Sequence, residues 1–331
     1  MPKLSIIIPC YNAEKHIDRC FSSLETQTIG IEQLEIIFVN DASTDNTLEL
    51  LTDFEKKHPE NVIVINCEKN GRQGAARNIG LRHATAEYIG FADDDDAFEP
   101  EMFEDLYEKA ITYDCDMVMC EFNNITDTEY NTQNFNLSNN NASGNDAFYE
   151  ITTPEERLAV ITMDPVRCIW NKIYRRNIIT ENNISFPEGY IYDDIYFYEL
   201  IKHYVKRLYM RNRIYYHHIF HEKSASIDSA RKDDMLGYLN VQIMLLEELK
   251  QRNLYYTYSQ SYNEMLLLEA IGLVKSYLMR YGEIEYSILN TIKNKLSVYK
   301  NEFLINPLLQ PIWQANAENV DKKIAKILVL Q

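Results

Sequence analysis

Basic residues are scarce in this 331-residue chain: 33 Lys and Arg stand against 50 Asp and Glu, a formal charge of −17. Nucleic acid is therefore excluded as the main ligand, because phosphate recognition rests on clustered Lys and Arg. Glycine (10) and proline (9) are also few, while 46% of residues are hydrophobic, which excludes a fibrous or low-complexity polypeptide and leaves an ordered globular one. The six cysteines, Cys10, Cys20, Cys67, Cys115, Cys120 and Cys168, form no CxxC pair. They read as reduced packing thiols rather than as a zinc site or a disulfide framework. No apolar run approaches the length of a membrane span, and the one in MPKLSIIIPCYN is too short for a secretory signal, so a cytosolic protein is expected.

What is present divides into two parts. A chain of this length ordinarily forms a larger domain and a smaller one, and the pattern changes near residue 229. Before it, β-branched runs at 4–9, 35–41, 61–66 and 87–93 alternate with helical spacings such as Ile17, Cys20, Phe21 and Leu24, behind Asn12 as a cap. A second helix follows Ser43, also read as a cap, with Leu48, Leu51 and Phe54 inward. Strand and helix alternating at this pitch imply an α/β domain with a mostly parallel sheet flanked by helices. A further strand is expected at 116–122, then an Asn-, Ser- and Thr-rich segment at 123–146 that reads equally as a surface insertion or as a substrate cover. From 229 to 331 the pattern is helical throughout. The expected domains are thus 1–228 and 229–331.

Ligands of open parallel sheets collect at the carboxyl ends of the strands, so the strand exits are the segments to read for chemistry. The fourth ends in FADDDDAFEP (91–100). In an extended chain Asp93 and Asp95 point one way and Asp94 and Asp96 the other. An Asp-x-Asp pair at a strand exit suits Mg2+ or Mn2+, which takes one or two protein carboxylates and completes its shell with phosphate oxygens and water. Asp96 is read as bracing the loop or capping the next helix. Asp41 leaves the second strand where it could receive a nucleobase N–H. NGRQGAARNIG (70–80) reads as a turn and helix start, and its Arg77 could meet a phosphate or the acid cluster.

PCYNAEKHIDRCFSSLETQT, EIIFVNDASTDNT, NGRQGAARNIGL and YIGFADDDD, in this order and spacing, resemble the inverting nucleotide-sugar glycosyltransferases of family two, which have the Rossmann-like GT-A fold. The likeness continues through WNKIYRR and YIYDDIYF to about residue 226. It implies that the uridine of a UDP-sugar lies against Pro9, Tyr11 and Asp41, with Glu14, Asn70 and Arg77 lining the same pocket. Asp93 then approaches ribose or sugar, Asp94 adds charge near the donor, and Asp95 holds Mn2+ or Mg2+ on the diphosphate. The pair Asp193 and Asp194 supplies the general base, placed on Asp194. Asn40, Ala42 and Asp94 depart from the commoner Asp, Gly and small residue.

His217, His218, His221, Lys223, Ser224 and Ser226 follow the base region and read either as contacts to diphosphate or metal or as a solvated connection. Trp170, Tyr190, Tyr192 and Tyr196 suit sugar stacking or a core. Two other functions compete: a sugar nucleotidyltransferase, against which the lack of a basic Gly-rich first loop argues, and a non-catalytic nucleotide-sugar-binding scaffold. A processive synthase is excluded by the lack of spans and of a QxxRW-like segment. The acceptor is expected to be a glycan or a lipid-linked intermediate. The tail VDKKIAKILVLQ reads as an amphipathic helix for its own domain, for a partner copy, or for a peripheral position at the inner membrane face.

Overall fold

Strand β1 (Leu4–Cys10) is buried along its whole length because it is covered on both faces. Its even-numbered residues Leu4, Ile6, Ile8 and Cys10 pack with Ile17, Cys20 and Leu24 of helix α1 (Ile17–Glu25), Leu51 and Phe54 of α2 (Thr47–Lys57) and Phe103 and Leu106 of α4 (Met102–Thr112). On the other face Ile7 meets α3 (Arg72–His83) so closely that a Cβ on Gly80 would lie 2.3 Å from the Ile7 Cγ2. An unbroken apolar run is what a two-sided strand requires. The computed structural model describes residues 2–132, 144–163, 167–221, 232–316 and 318–330. It folds as two compact units, Met1–Asp228 and Ser229–Gln331.

The first unit holds a mixed sheet of nine strands among the described residues, in the order β3-β2-β1-β4-β8-β6-β9-β5, with β7 paired to β9. β2 (Leu34–Asn40), β3 (Val62–Asn66) and β4 (Tyr88–Phe91) run parallel with β1, in registers that align Cys10, Asn40 and Asn66 at one end. All four exits therefore open on one rim. The β4 ladder stops at Ile7, so Pro9, which has no N–H to give, lies beyond that pairing. Past β4 the sheet turns mixed. β8 (Lys172–Arg175) is antiparallel to both β4 and β6 (Met117–Thr126), while β9 (Arg207–Phe220) lies parallel to β6 across a bulge near Glu121. β5 (Ala97–Phe98) and β7 (Ala147–Glu150) add to β9 antiparallel.

Four further helices lie among the described residues of the first unit: α5 (Asp127–Thr132), α6 (Pro154–Met163), α7 (Arg176–Glu181) and α8 (Asp193–Ile201). The caps differ from those the sequence suggests. α1 is preceded by His16 and α2 by Asn46, neither with a side-chain cap bond. Asn12 instead adopts φ 54° and accepts from the Thr44 N–H, and Ser43 accepts from the Asn12 N–H. Asn12 and Ser43 thus lace the two loops to each other, and it is Asp45 that accepts from the Thr47 N–H at the start of α2.

The second unit is helical. Its elements are α9 (Lys232–Gln251), α10 (Ser259–Tyr281), α11 (Tyr286–Leu296), α12 (Lys300–Ile305), α13 (Gln310–Gln314) and α14 (Val320–Val329). α14 begins where the Asn319 side chain accepts from the Lys322 N–H. It buries Ile324, Ala325, Leu328 and Val329, and Lys275 of α10 pairs with its Asp321 at 2.8 Å. The buried side of the tail is thus spent inside its own unit, one of the uses its sequence suggests, while Val320 and Leu330 stay exposed. Among the described residues no helix is long and apolar enough to cross a membrane.

Candidate active site

The acids after β4 do not continue the strand. Asp94 and Asp95 form a turn in which the Asp96 N–H approaches the Asp93 carbonyl at 3.4 Å, so the alternation expected of an extended chain fails and each acid has its own surroundings. Asp93 accepts from Arg77 Nη2 at 2.9 Å. Asp94 accepts from the Tyr11 N–H at 3.1 Å, which ties it to the β1 loop instead of facing it away. Asp95 accepts from His221 Nε2 at 2.7 Å and keeps 27% of its side chain exposed. Asp96 is sealed and accepts from the Ile219 N–H at 2.8 Å, so it braces β9 and caps no helix.

Burial first, and then repulsion among the acids, pushes the carboxyls of Asp94 and Asp96 well above their ordinary range. Burial also raises Asp93, against the pull of Arg77. Crowded carboxylates short of counter-charge, with oxygen as the donor atom, fit a hard divalent cation. Among the described residues no three His, Cys, Asp or Glu side chains form a closed metal set. A cation here would draw its remaining oxygens from a ligand and from water.

Across the rim, α8 starts at the second acid pair. Arg77 links the two places: its Nη1 donates to Asp193 at 2.7 Å while its Nη2 holds Asp93, and its side chain is 3% exposed. Asp193 is equally sealed, at 2%. Asp194 is only partly buried and accepts from the Ile195 N–H. Desolvation, with Asp193 beside it, pushes the Asp194 carboxyl up to about 7. The residue before the pair, Tyr192, is held at φ 70°, a left-handed conformation that costs a non-glycine residue about 1–2 kcal/mol.

The helix behind this arrangement is α3, and one of its faces explains the motif at 70–80. Asn78 donates to the Phe186 carbonyl and to Glu188, and accepts from the Phe186 N–H, so it pins the segment leading into α8. Phe186 stacks on Phe197 of α8 at 4.1 Å, and Phe91 of β4 meets both rings edge-on. Gly74 lets the backbones approach, since a Cβ there would lie 2.5 Å from the Pro187 carbonyl oxygen and 3.1 Å from the Asp193 Cβ. Gly74→Ala is therefore expected to push α8 off α3, costing about 1–3 kcal/mol as an overpacked contact. Thermal denaturation checks this, and a variant that melts with the wild type would show that the contact has room to give.

The remaining candidates fall as follows. Asp41 is buried at the β2 exit and accepts from the Gly71 N–H at 2.7 Å; burial raises its carboxyl. Asn70 donates to the Asp41 carbonyl. Tyr11 is about half exposed on the rim. Pro9, by contrast, is buried in β1, and the Glu14 carboxylate accepts from the Asn46 N–H at the start of α2. Arg77 holds two carboxylates, the acid-cluster part of its reading. Ala42 keeps the β2 turn by adopting φ 58°.

His217 is sealed between Glu99 at 2.9 Å and Asn123, out of reach of any diphosphate. His218 stacks near Trp170 and bonds Asn124. Lys223, Ser224 and Ser226 lie outside the described residues, as does much of the 123–146 segment. Trp170 is core, stacked at 4.3 Å on Tyr216, and Tyr196 is buried as well. Tyr216 was not legible from the sequence: its hydroxyl accepts from the Asp93 N–H at 3.1 Å, so an aromatic stack on β9 carries the acid turn.

A parallel half-sheet with an acid turn at its rim, extended by mixed strands and facing a second acid pair, defines a GT-A transferase fold. The family model described as Glycosyl transferase family 2 matches residues 5–181, and the chain belongs to that family. It is 33% identical over 195 residues to the uncharacterized glycosyltransferase YibD of Escherichia coli K12, covering 58% of this chain and 54% of that one. Poly(ribitol-phosphate) beta-glucosyltransferase of Bacillus spizizenii is also 33% identical, over 56% of this chain and 27% of its own. The chain thus aligns with about half or less of these relatives' lengths. Among solved structures, residues 1–349 of Staphylococcus aureus TarS in complex with UDP-GlcNAc superpose with a TM-score of 0.72 at 21% identity, covering 98% of this chain and 89% of that one.

Proposed function

We propose that this chain transfers a sugar from a nucleoside diphosphate, with UDP the favoured nucleotide, to a hydroxyl of a glycan or lipid-linked acceptor, with inversion and with a divalent cation. The observation that carries the reading is the Arg77 fork. It ties Asp93 on the acid turn to Asp193 on α8 and so fixes the distance between a donor end and a base end, with the half-buried Asp194 beside it. UDP is favoured by a neighbour solved with UDP-GlcNAc and by relatives named for glucosyl and N-acetylglucosaminyl transfer. A cation is supported by the acid turn and by a mannosyltransferase neighbour solved with GDP-Man and Mn2+, although that likeness is weaker, at a TM-score of 0.53.

In this reading the β1 loop and Asp41 receive the nucleoside, with Asn70 beside them, and Asp93, Asp94 and Asp95 face its diphosphate. When bound, Mn2+ or Mg2+ offsets the charge that develops on the departing diphosphate. Asp194 accepts the proton of the acceptor hydroxyl as it attacks from the opposite side of the sugar, the direction that inverts the anomeric carbon. Asp193, spent on Arg77, orients α8 and takes no proton.

The test is a screen of UDP- and GDP-sugars for thermal stabilisation with and without Mn2+, followed by product analysis. Stabilisation by a UDP-sugar with Mn2+, and release of UDP, are the expected results. Release of pyrophosphate would make the chain a nucleotidyltransferase, and cation-independent binding without release would make it a scaffold.

A further inference from the structure

Beside the acid turn stands a pair of imidazoles that the proposed reaction does not by itself require. His221, just past the end of β9, gives its Nε2–H to Asp95 Oδ2 at 2.7 Å. The ring of His16, one residue ahead of α1, stacks on it with centroids 4.1 Å apart and planes 20° from parallel. His16 is held in turn by Arg19. One guanidinium nitrogen donates to the His16 Nδ1 at 2.5 Å and Nε donates to the His16 carbonyl at 3.2 Å. Arg19 is itself buried and anchored on α5, pairing with Asp127 at 2.9 Å and lying over the Tyr130 ring.

A guanidinium only donates, so the His16 Nδ1 must present its lone pair, and the ring is the neutral tautomer with its proton on Nε2. The neutrality is consistent with its surroundings, since burial and the neighbouring His221 and Arg19 all lower its basicity. A neutral, fixed ring can stack on its neighbour whether that neighbour is charged or not. It removes rotamers from His221, whose Nε2 then stays on Oδ2 of Asp95 and leaves Oδ1 available.

We propose that His16, clamped by Arg19, is a positioning residue for the cation-binding carboxylate: it holds the His221 imidazole that orients Asp95. This rests on the cation reading given above. His221, one hydrogen bond removed from Asp95, is the kind of partner whose loss commonly changes metal affinity by about 10–100-fold, and His16 acts through it.

The experiment uses the full chain with Mn2+ and UDP, free Mn2+ being followed by electron paramagnetic resonance, and compares wild type with His16→Ala and His16→Phe. Wild type is expected to take up Mn2+ in the presence of UDP. His16→Ala is expected to bind it about tenfold more weakly, and His16→Phe, which keeps the stacked ring, within about threefold of wild type. Histidine 1H–15N spectra of the ligand-free protein give a second readout. They are expected to show His16 protonated on Nε2 alone, and His221 resonances that move in His16→Ala and much less in His16→Phe.

Wild-type Mn2+ affinity in His16→Ala, or a loss in His16→Phe equal to that in His16→Ala, overturns the positioning role. A wild-type protein that takes up no Mn2+ with UDP overturns the cation reading instead. The ligand-free spectra then decide the orientation of His221 by themselves, and unchanged His221 resonances in His16→Ala overturn that as well.

Discussion

The Asp194→Asn variant is expected to lose sugar transfer by about 10²–10⁴-fold, the range set by removing a positioned general base, while binding the UDP-sugar with nearly unchanged affinity. Asn keeps the shape of Asp but cannot take a proton from the attacking hydroxyl. Because burial and Asp193 raise the Asp194 carboxyl to about 7, the wild-type enzyme should gain kcat/KM as pH rises through about 7. Below that value the group is protonated and unable to act as a base. The residual rate of the variant should lack this acid limb. UDP release measured against pH, with donor affinity measured separately, checks both parts. A variant that retains the limb would move the base elsewhere.

The same group makes a prediction about stability with the opposite sense. An unfolded aspartate titrates near 4, so a folded value near 7 means that the native state favours the protonated acid. Its contribution to stability is fully present below about pH 4 and is lost as pH rises through about 7. Asp194→Asn, which cannot ionise, should therefore melt above the wild type at pH 8, and the difference should close towards pH 4. A carboxylate that costs stability in the ionised form its proposed role as base requires is the expected trade at a functional site.

In the parallel half of the sheet β1 and β2 were legible because each is a nearly continuous apolar run rich in β-branched residues, which is what burial on both faces requires. The rim residues followed from the direction of those strands. β9 was not legible. RLYMRNRIYYHHIF buries no regular alternation, because the bulge opposite Glu121 resets the register partway along. The acid turn was misread for a related reason: four Asp residues carry no periodicity, so nothing in them distinguishes a continuing strand from a turn. Arg77 was visible as a candidate, with the acid cluster among its possible partners, but its second partner, Asp193, lies 116 residues away in sequence and was not. Tyr216 and His16 carried no local signal, since each acts on the acid turn through a contact that only the closed sheet creates.

Arg77→Ala is expected to be the most damaging single change for folding. The guanidinium is sealed between Asp93 and Asp193, and its removal leaves Asp193 charged, buried and uncompensated. Breaking a buried pair in this way costs about 3–5 kcal/mol, which for a unit of this size lowers the melting temperature by roughly 10 °C. Arg77→Lys should recover little of this, because one ammonium cannot reproduce a planar fork that reaches two carboxylates at once. Adding Asp193→Asn to Arg77→Ala should recover much of the stability by removing the stranded charge. Arg77 also lowers the Asp194 carboxyl, so in Arg77→Ala, where it folds, the acid limb of the pH profile should shift upward from about 7, whereas the double variant also loses the raising charge of Asp193 and should show no such upward shift. Calorimetry of the four proteins separates the charge effect from simple loss of packing: if the double variant melts no higher than Arg77→Ala, the fork contributes volume and not electrostatics, and its part in joining the two ends of the site fails.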